Sequence, residues 1–190
     1  MTEIVEHQGD NGPETAALVA GGVVNVADFP KPGIQFKDLT PLFADGETFH
    51  AVIDSIVEHY TDADGTLAFD TVVGVEARGF VIAAAVAYAA RVGVVAVRKA
   101  GKLPRVAHSA AYDLEYGQAV LEVSEGAFVA GQRVLVVDDV LATGGTAEAT
   151  LDLVERAGGV VVGFTVLMEL AFLEGRKRLP GRSVHALWTV

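Results

Sequence analysis

Residues 134–146 read Val134-Leu135-Val136-Val137-Asp138-Asp139-Val140-Leu141-Ala142-Thr143-Gly144-Gly145-Thr146. Four apolar residues run into two carboxylates, and a Thr-Gly-Gly-Thr turn then opens onto a helical pattern. The valine-rich run, residues 133–137, predicts a short strand buried on both faces. Glycines let a backbone approach an anion closely, and hydroxyls with free N–H groups at a helix start supply donors for a phosphate monoester. Two adjacent acids repel a phosphate, so they are expected to face ribose hydroxyls, a magnesium-bound water, or both. The bland alternative is a capped turn with two solvated aspartates. Neither common nucleotide fingerprint, Gly-x4-Gly-Lys-[Ser/Thr] or Gly-x-Gly-x-x-Gly, occurs in the chain.

Outward from this string the pattern repeats. Residues 146–157 predict a helix stopped by Gly158-Gly159, and residues 160–167 and 183–190 predict two further strands. Upstream, residues 71–75 and 93–98 read as strands on either side of an alanine-rich helix at 80–90. Residues 112–123, with Gly117, read as a strand pair. Asp45 is placed to cap a helix in which Phe49, Val52, Ile53, Ile56, Val57 and Tyr60 fall on one face. A short helix at 15–20 and a strand at 23–26 precede a proline-punctuated segment. Short apolar strands alternating with helices imply an α/β fold, a mostly parallel central sheet with helices on both faces. One domain is expected over residues 14–190, with residues 1–13 a disordered tail.

Composition bounds the function. The 190 residues carry 14 Lys and Arg against 25 Asp and Glu, a net charge of −11, which argues against a nucleic-acid partner. Hydrophobic residues make up 51%, enough for a core, and the absence of cysteine excludes disulfides and thiolate metal sites. Mean hydropathy is positive, +0.39, so a membrane span must be considered. The most apolar window, residues 79–97, contains Arg91 and Gly93 and is better read as helix, turn and strand. The N-terminal residues lack a basic and apolar leader pattern, so no membrane partner and a cytoplasmic location are expected.

Two other segments stand out. Val75-Glu76-Ala77-Arg78-Gly79 follows a strand and opens a helix; an Arg flanked by N–H groups there suits a pyrophosphate, although a surface ion pair is the commoner use. Arg98, Lys99, Lys102 and Arg105 put four cations into eight residues of an acidic chain. The stretch 100–109 reads as a polar, basic loop, either solvated or a glycine-hinged lid over a polyanion.

The block at 138–146 resembles the phosphoribosyl-pyrophosphate (PRPP) motif of type I phosphoribosyltransferases. Four more blocks, FPKPGIQFKDLT at 29–40, GVEARGF at 74–80, VRKAGKLP at 97–104 and YDLEYG at 112–117, resemble in order and spacing those of the adenine phosphoribosyltransferase family. The resemblance spans residues 27–170. It implies the type I fold with a small hood and a flexible catalytic loop, a homodimer, and conversion of adenine and PRPP with magnesium into AMP and pyrophosphate.

Roles carried over by resemblance are specific. Asp138 and Asp139 would hold ribose hydroxyls, and Ala142, Thr143, Gly144, Gly145 and Thr146 the 5′-phosphate. Glu76, Ala77 and Arg78 would form the pyrophosphate loop, with a non-proline cis peptide expected at Glu76–Ala77. Arg98, Lys99 and Lys102 would begin the catalytic loop, and Glu115 would be the general acid–base beside the purine. Phe36 would stack on adenine, while backbone groups of Gln35 and Lys37 would read its edge; residues 167–170 would help close the base pocket. No protein ligand set for a metal is expected, magnesium being held mainly through PRPP, pyrophosphate and water. Two departures are noted: Ala100 stands where many relatives have proline, and Gln35 where they usually have an aliphatic residue. The five histidines show no metal spacing and read as structural or solvated. Alternatives are transfer to hypoxanthine, guanine or xanthine, or a PRPP-sensing regulator of the same fold.

Overall fold

The computed structural model describes residues 8–113 and 118–190. Its N-terminal part comprises helix α1 (Pro13–Gly21), strands β1 (Val24–Ala27) and β2 (Gln35–Asp38), and helices α2 (Thr40–Ala44) and α3 (Gly46–His59). β1 and β2 pair antiparallel as a separate two-stranded hood. α3 starts where expected: the Asp45 carboxylate accepts from the N–H of Glu47 at 3.1 Å and from Thr48 Oγ1 at 3.0 Å. Its apolar face buries Val52, Ile53 and Ile56.

The rest builds the main sheet. β3 (Thr71–Val75), α4 (Arg78–Ala90) and β4 (Gly93–Lys99) form one crossover; β7 (Arg133–Leu141), α5 (Gly145–Arg156) and β8 (Val160–Glu169) form another. Between them in the chain, but at one edge of the sheet, comes the hairpin of β5 (Val106–Asp113) and β6 (Gln118–Ser124); β9 (Val184–Thr189) forms the other edge. The strand order is β5-β6-β4-β3-β7-β8-β9, parallel from β4 to β9 and antiparallel in the hairpin. The expected α/β class holds. Two cores sandwich the sheet: one joins α1, α3 and α4 to Leu135 and Val137, the other packs α5 on Val134 and Val136. Alternate residues of β7 thus enter opposite cores, which is why its sequence is apolar without alternation.

Gly74 sets the distance between β3 and α4. A Cβ there would lie 2.7 Å from both Ala83 Cβ and the Gly79 carbonyl oxygen. Any side chain would push the helix start outward, and with it the loop at 76–79.

Three expectations need correction. β7 does not stop at Val137 but continues through both aspartates to Leu141, because β8 keeps offering it partners as far as Glu169. The basic loop expected over 100–109 is shorter, since β5 begins at Val106 and pairs with Ser124. The expected tail is tied down from Gln8 onward: Thr189 N–H donates to the Gln8 carbonyl at 2.7 Å, and Asp10 bonds Ala186 in both directions. Residues 1–7 of that tail lie outside the described residues. Among the described residues no helix is long and apolar enough to cross a membrane.

Candidate active site

β3 and β7 are neighbours, yet their crossovers leave in opposite directions, α4 to one face and α5 to the other. Such a reversal opens a crevice beyond the carboxyl ends of the strands, the usual ligand position in open α/β sheets. Among the described residues, the motifs at 29–40, 74–80, 97–104 and 138–146 meet there.

The turn after β7 forms a cup of about 80 Å3 lined by Asp138 and by residues 140–147, including Ala142, Thr143, Gly144, Gly145 and Thr146. Gly144 precedes α5 at φ +85°, a left-handed conformation that favours glycine, and its Cβ position lies 2.5 Å from the Gly175 carbonyl oxygen. No side chain caps α5. Its first N–H groups, which lack intrahelical partners, are therefore left available at the mouth of the cup.

Asp139 is buried, 6% exposed, and its Oδ2 lies 2.7 Å from a terminal nitrogen of Arg78. That oxygen has no hydrogen bond of good geometry, so the pair is an ion contact with acceptor capacity to spare. Asp138 accepts the Asp139 N–H at 2.9 Å. Burial, and then the adjacent Asp139 carboxylate, push the Asp138 carboxyl well above its ordinary value, against the pull of that N–H bond and of Arg78.

Arg78 opens α4, and the Glu76–Ala77 peptide before it is cis, as the resemblance led one to expect. The Arg78 guanidinium also lies 5.7 Å from the centroid of the Phe36 ring on β2. Phe36 is half-buried, with Phe29 edge-on at 5.1 Å, while Gln35 is exposed at the strand start. The Lys37 ammonium sits 5.6 Å from the Trp188 ring on β9. The hood thus presents one aromatic face to the crevice.

Glu76 keeps its place in the loop at 76–79, between the end of β3 and the Ala77 amide. Its carboxylate points to the basic turn: Oε2 accepts the Lys99 N–H at 2.8 Å and lies 3.6 Å from Arg98 Nε, while Oε1 takes the Lys102 ammonium. The Lys102 bond leads in holding the Glu76 carboxyl below its ordinary value. The turn itself passes through Gly101 at φ +82°, whose N–H donates to Glu122 at 3.0 Å. Arg98, Lys99, Lys102 and Glu76 form one cluster; Ala77 is exposed beside it.

Glu115, with residues 114–117, lies outside the described residues. Leu167 and Met168 are fully buried in the core, Glu169 pairs with Arg176 at 2.6 Å, and Leu170 alone of the four keeps exposed surface. Sequence reading passed over Phe29 and Glu122. Phe29 opens a quoted block and could have been found; Glu122, one carboxylate in a strand, carries no signal of its partner.

The comparisons agree with this geometry. The phosphoribosyl transferase domain family matches residues 43–182. The adenine phosphoribosyltransferase of Salinispora arenicola is 69% identical over 100% of this chain and 98% of its own. The crystal structure of the Rhodothermus marinus adenine phosphoribosyltransferase superposes with a TM-score of 0.84 at 44% identity, over 93% of this chain and 99% of that one. That of Saccharomyces cerevisiae gives 0.86 at 38% identity, over 92% and 98%. The chain belongs to the phosphoribosyltransferase family. Within it, the chain falls among the adenine phosphoribosyltransferases.

Proposed function

We propose that the chain transfers the 5-phosphoribosyl group of PRPP to adenine, giving AMP and pyrophosphate in purine salvage. The observation that carries this reading is the convergence of the phosphate cup, the Asp138–Asp139 pair, Arg78 and the Phe36 face on one crevice. The yeast relative was crystallised with an iminoaltritol bisphosphate and adenine together, which supports a paired sugar-phosphate and base site.

Each group has a task. The cup takes the 5′-phosphate, the two aspartates the ribose hydroxyls, and the N–H groups at Ala77 and Arg78 the pyrophosphate. Phe36 stacks on adenine, and backbone groups of Gln35 and Lys37 read its edge. As the bond from C1′ to pyrophosphate breaks, positive charge grows on the sugar, and the attacking nitrogen must lose its proton. Glu115 is the carboxylate assigned to that proton; a positioned acid–base contributes typically about 10²–10⁴ in rate.

Magnesium fits this donor set as a substrate-borne ion. Among the described residues no group of three His, Asp or Glu could hold a metal, but Asp139 Oδ2 is a buried acceptor without a hydrogen bond. The ion would take its oxygens from pyrophosphate, ribose and water with the aspartates beside it, and would neutralise the leaving group.

A homodimer and a cytoplasmic location complete the proposal. Exposed Val81 and Tyr88 on α4 and Val94 on β4 give an apolar surface for a second copy. The phosphorylated substrates are charged and do not cross membranes unaided.

The test offers adenine, hypoxanthine and guanine separately with PRPP and magnesium. Adenine alone should be consumed rapidly. Turnover with hypoxanthine but not adenine would overturn the base assignment, and no turnover with any base would favour a regulator.

A further inference from the structure

We propose that Glu76 is a positioning residue, a resident carboxylate that holds Arg98, Lys99 and Lys102 until pyrophosphate displaces it. The inference rests on the phosphoribosyl-transfer reading and concerns how the same site releases its product.

Glu76 sits where β3 ends, immediately before the Ala77 and Arg78 amides assigned to pyrophosphate. Only 9% of its side chain is exposed, and it faces a backbone N–H, an ammonium and a guanidinium. This is the donor set that a phosphate oxygen would use. The set is incompletely satisfied, because Arg98 Nε is buried without a hydrogen bond, 3.6 Å from the Glu76 carboxylate. One carboxylate cannot reach every donor that a larger anion with more oxygens would engage. A second carboxylate, Glu122, holds the far side of the turn through the Gly101 N–H. The turn therefore closes on two protein carboxylates, and an arriving pyrophosphate exchanges with Glu76 for Lys102 and Arg98.

Exchange has a direction that can be measured. Glu76 competes with pyrophosphate for the same cations, so it weakens product binding and aids release. Glu76→Gln keeps an acceptor for the Lys99 N–H but removes the competing charge. Calorimetric titration with pyrophosphate and magnesium should show binding about fivefold tighter than wild type. The inhibition constant of pyrophosphate should fall alike, with KM for adenine unchanged. A variant that merely damaged the loop would bind pyrophosphate more weakly, so tightening separates the two roles.

In a Lys102→Met background the gain from Glu76→Gln should shrink; full retention would show that Glu76 does not act through Lys102. If Glu76→Gln fails to fold, Glu76→Asp, which withdraws the charge from Lys102, must show a smaller tightening. Unchanged or weaker binding by the variants, beside normal binding by the wild type, overturns this inference alone. A wild-type chain that binds no pyrophosphate overturns it together with the proposed function.

Discussion

Arg78, from the first turn of α4, and Asp139, near the end of β7, meet at 2.7 Å across the crevice between two strands that send their helices to opposite faces. The contact joins the loop assigned to pyrophosphate to the acids assigned to ribose. Substitution of Arg78 should therefore strike both halves of PRPP binding. Hydrogen bonds to charged groups are worth about 1.5–3 kcal/mol, so Arg78→Gln should lower kcat/KM for PRPP by about 10–100-fold. Steady-state kinetics checks this; a loss below about threefold would remove Arg78 from the site.

Phe36 offers a half-exposed ring that the base would cover. Base–aromatic stacking is worth about 1–3 kcal/mol, so Phe36→Ala should raise KM for adenine by about tenfold. KM for PRPP should change much less, and an equal rise in both constants would argue that the ring supports the hood instead.

Gly144 combines φ +85° with a carbonyl oxygen 2.5 Å from its Cβ position. Gly144→Ala should cost about 1–3 kcal/mol through backbone strain and displacement of Gly175. Denaturant unfolding would show a lower midpoint, and PRPP binding should weaken as the cup deforms. A wild-type midpoint would contradict the packing described.

His185 is a buried titratable group outside the crevice. It is 2% exposed, stacks on His59 at 3.7 Å, and meets Thr165 Oγ1 at 3.3 Å and the Asn11 side chain. Burial leads in pushing its pKa down from 6.5 to about 4; His59 and Arg176 act the same way, and Asp10 opposes them. The folded state refuses a proton that the unfolded chain accepts, so stability falls as pH drops from 6.5 towards 4. The full loss approaches about 3 kcal/mol. Urea unfolding at pH 7 and pH 5 should show this decline, and His185→Gln should flatten it. An unchanged slope in the variant would assign the acid sensitivity elsewhere.

These cases mark what the sequence could and could not disclose. β3 and α3 were legible because burial imposes a local pattern, an apolar run for one and a stripe of Val52, Ile53 and Ile56 for the other. The turn that opens α5 was legible because its glycine positions are set within one short stretch of chain. β7 was read too short since two aspartates interrupt its apolar run, and only the neighbouring β8 explains their strand geometry. Asp10 and Asn11 looked like a polar tail because their partners, Arg176 and His185, lie far away in the chain. Glu76 was read as lying between β3 and α4, as it does, but the direction of its carboxylate depends on the turn after β4. Polar pairing across the fold leaves no period to read.

The central claim is the transfer itself, and product analysis tests it most directly. The full chain is incubated with labelled adenine, PRPP and magnesium, and AMP and pyrophosphate are quantified together over time. The account predicts both products in equal amounts, each dependent on adenine and PRPP. Pyrophosphate released with ribose 5-phosphate and no AMP, or adenine left unconsumed, would contradict it.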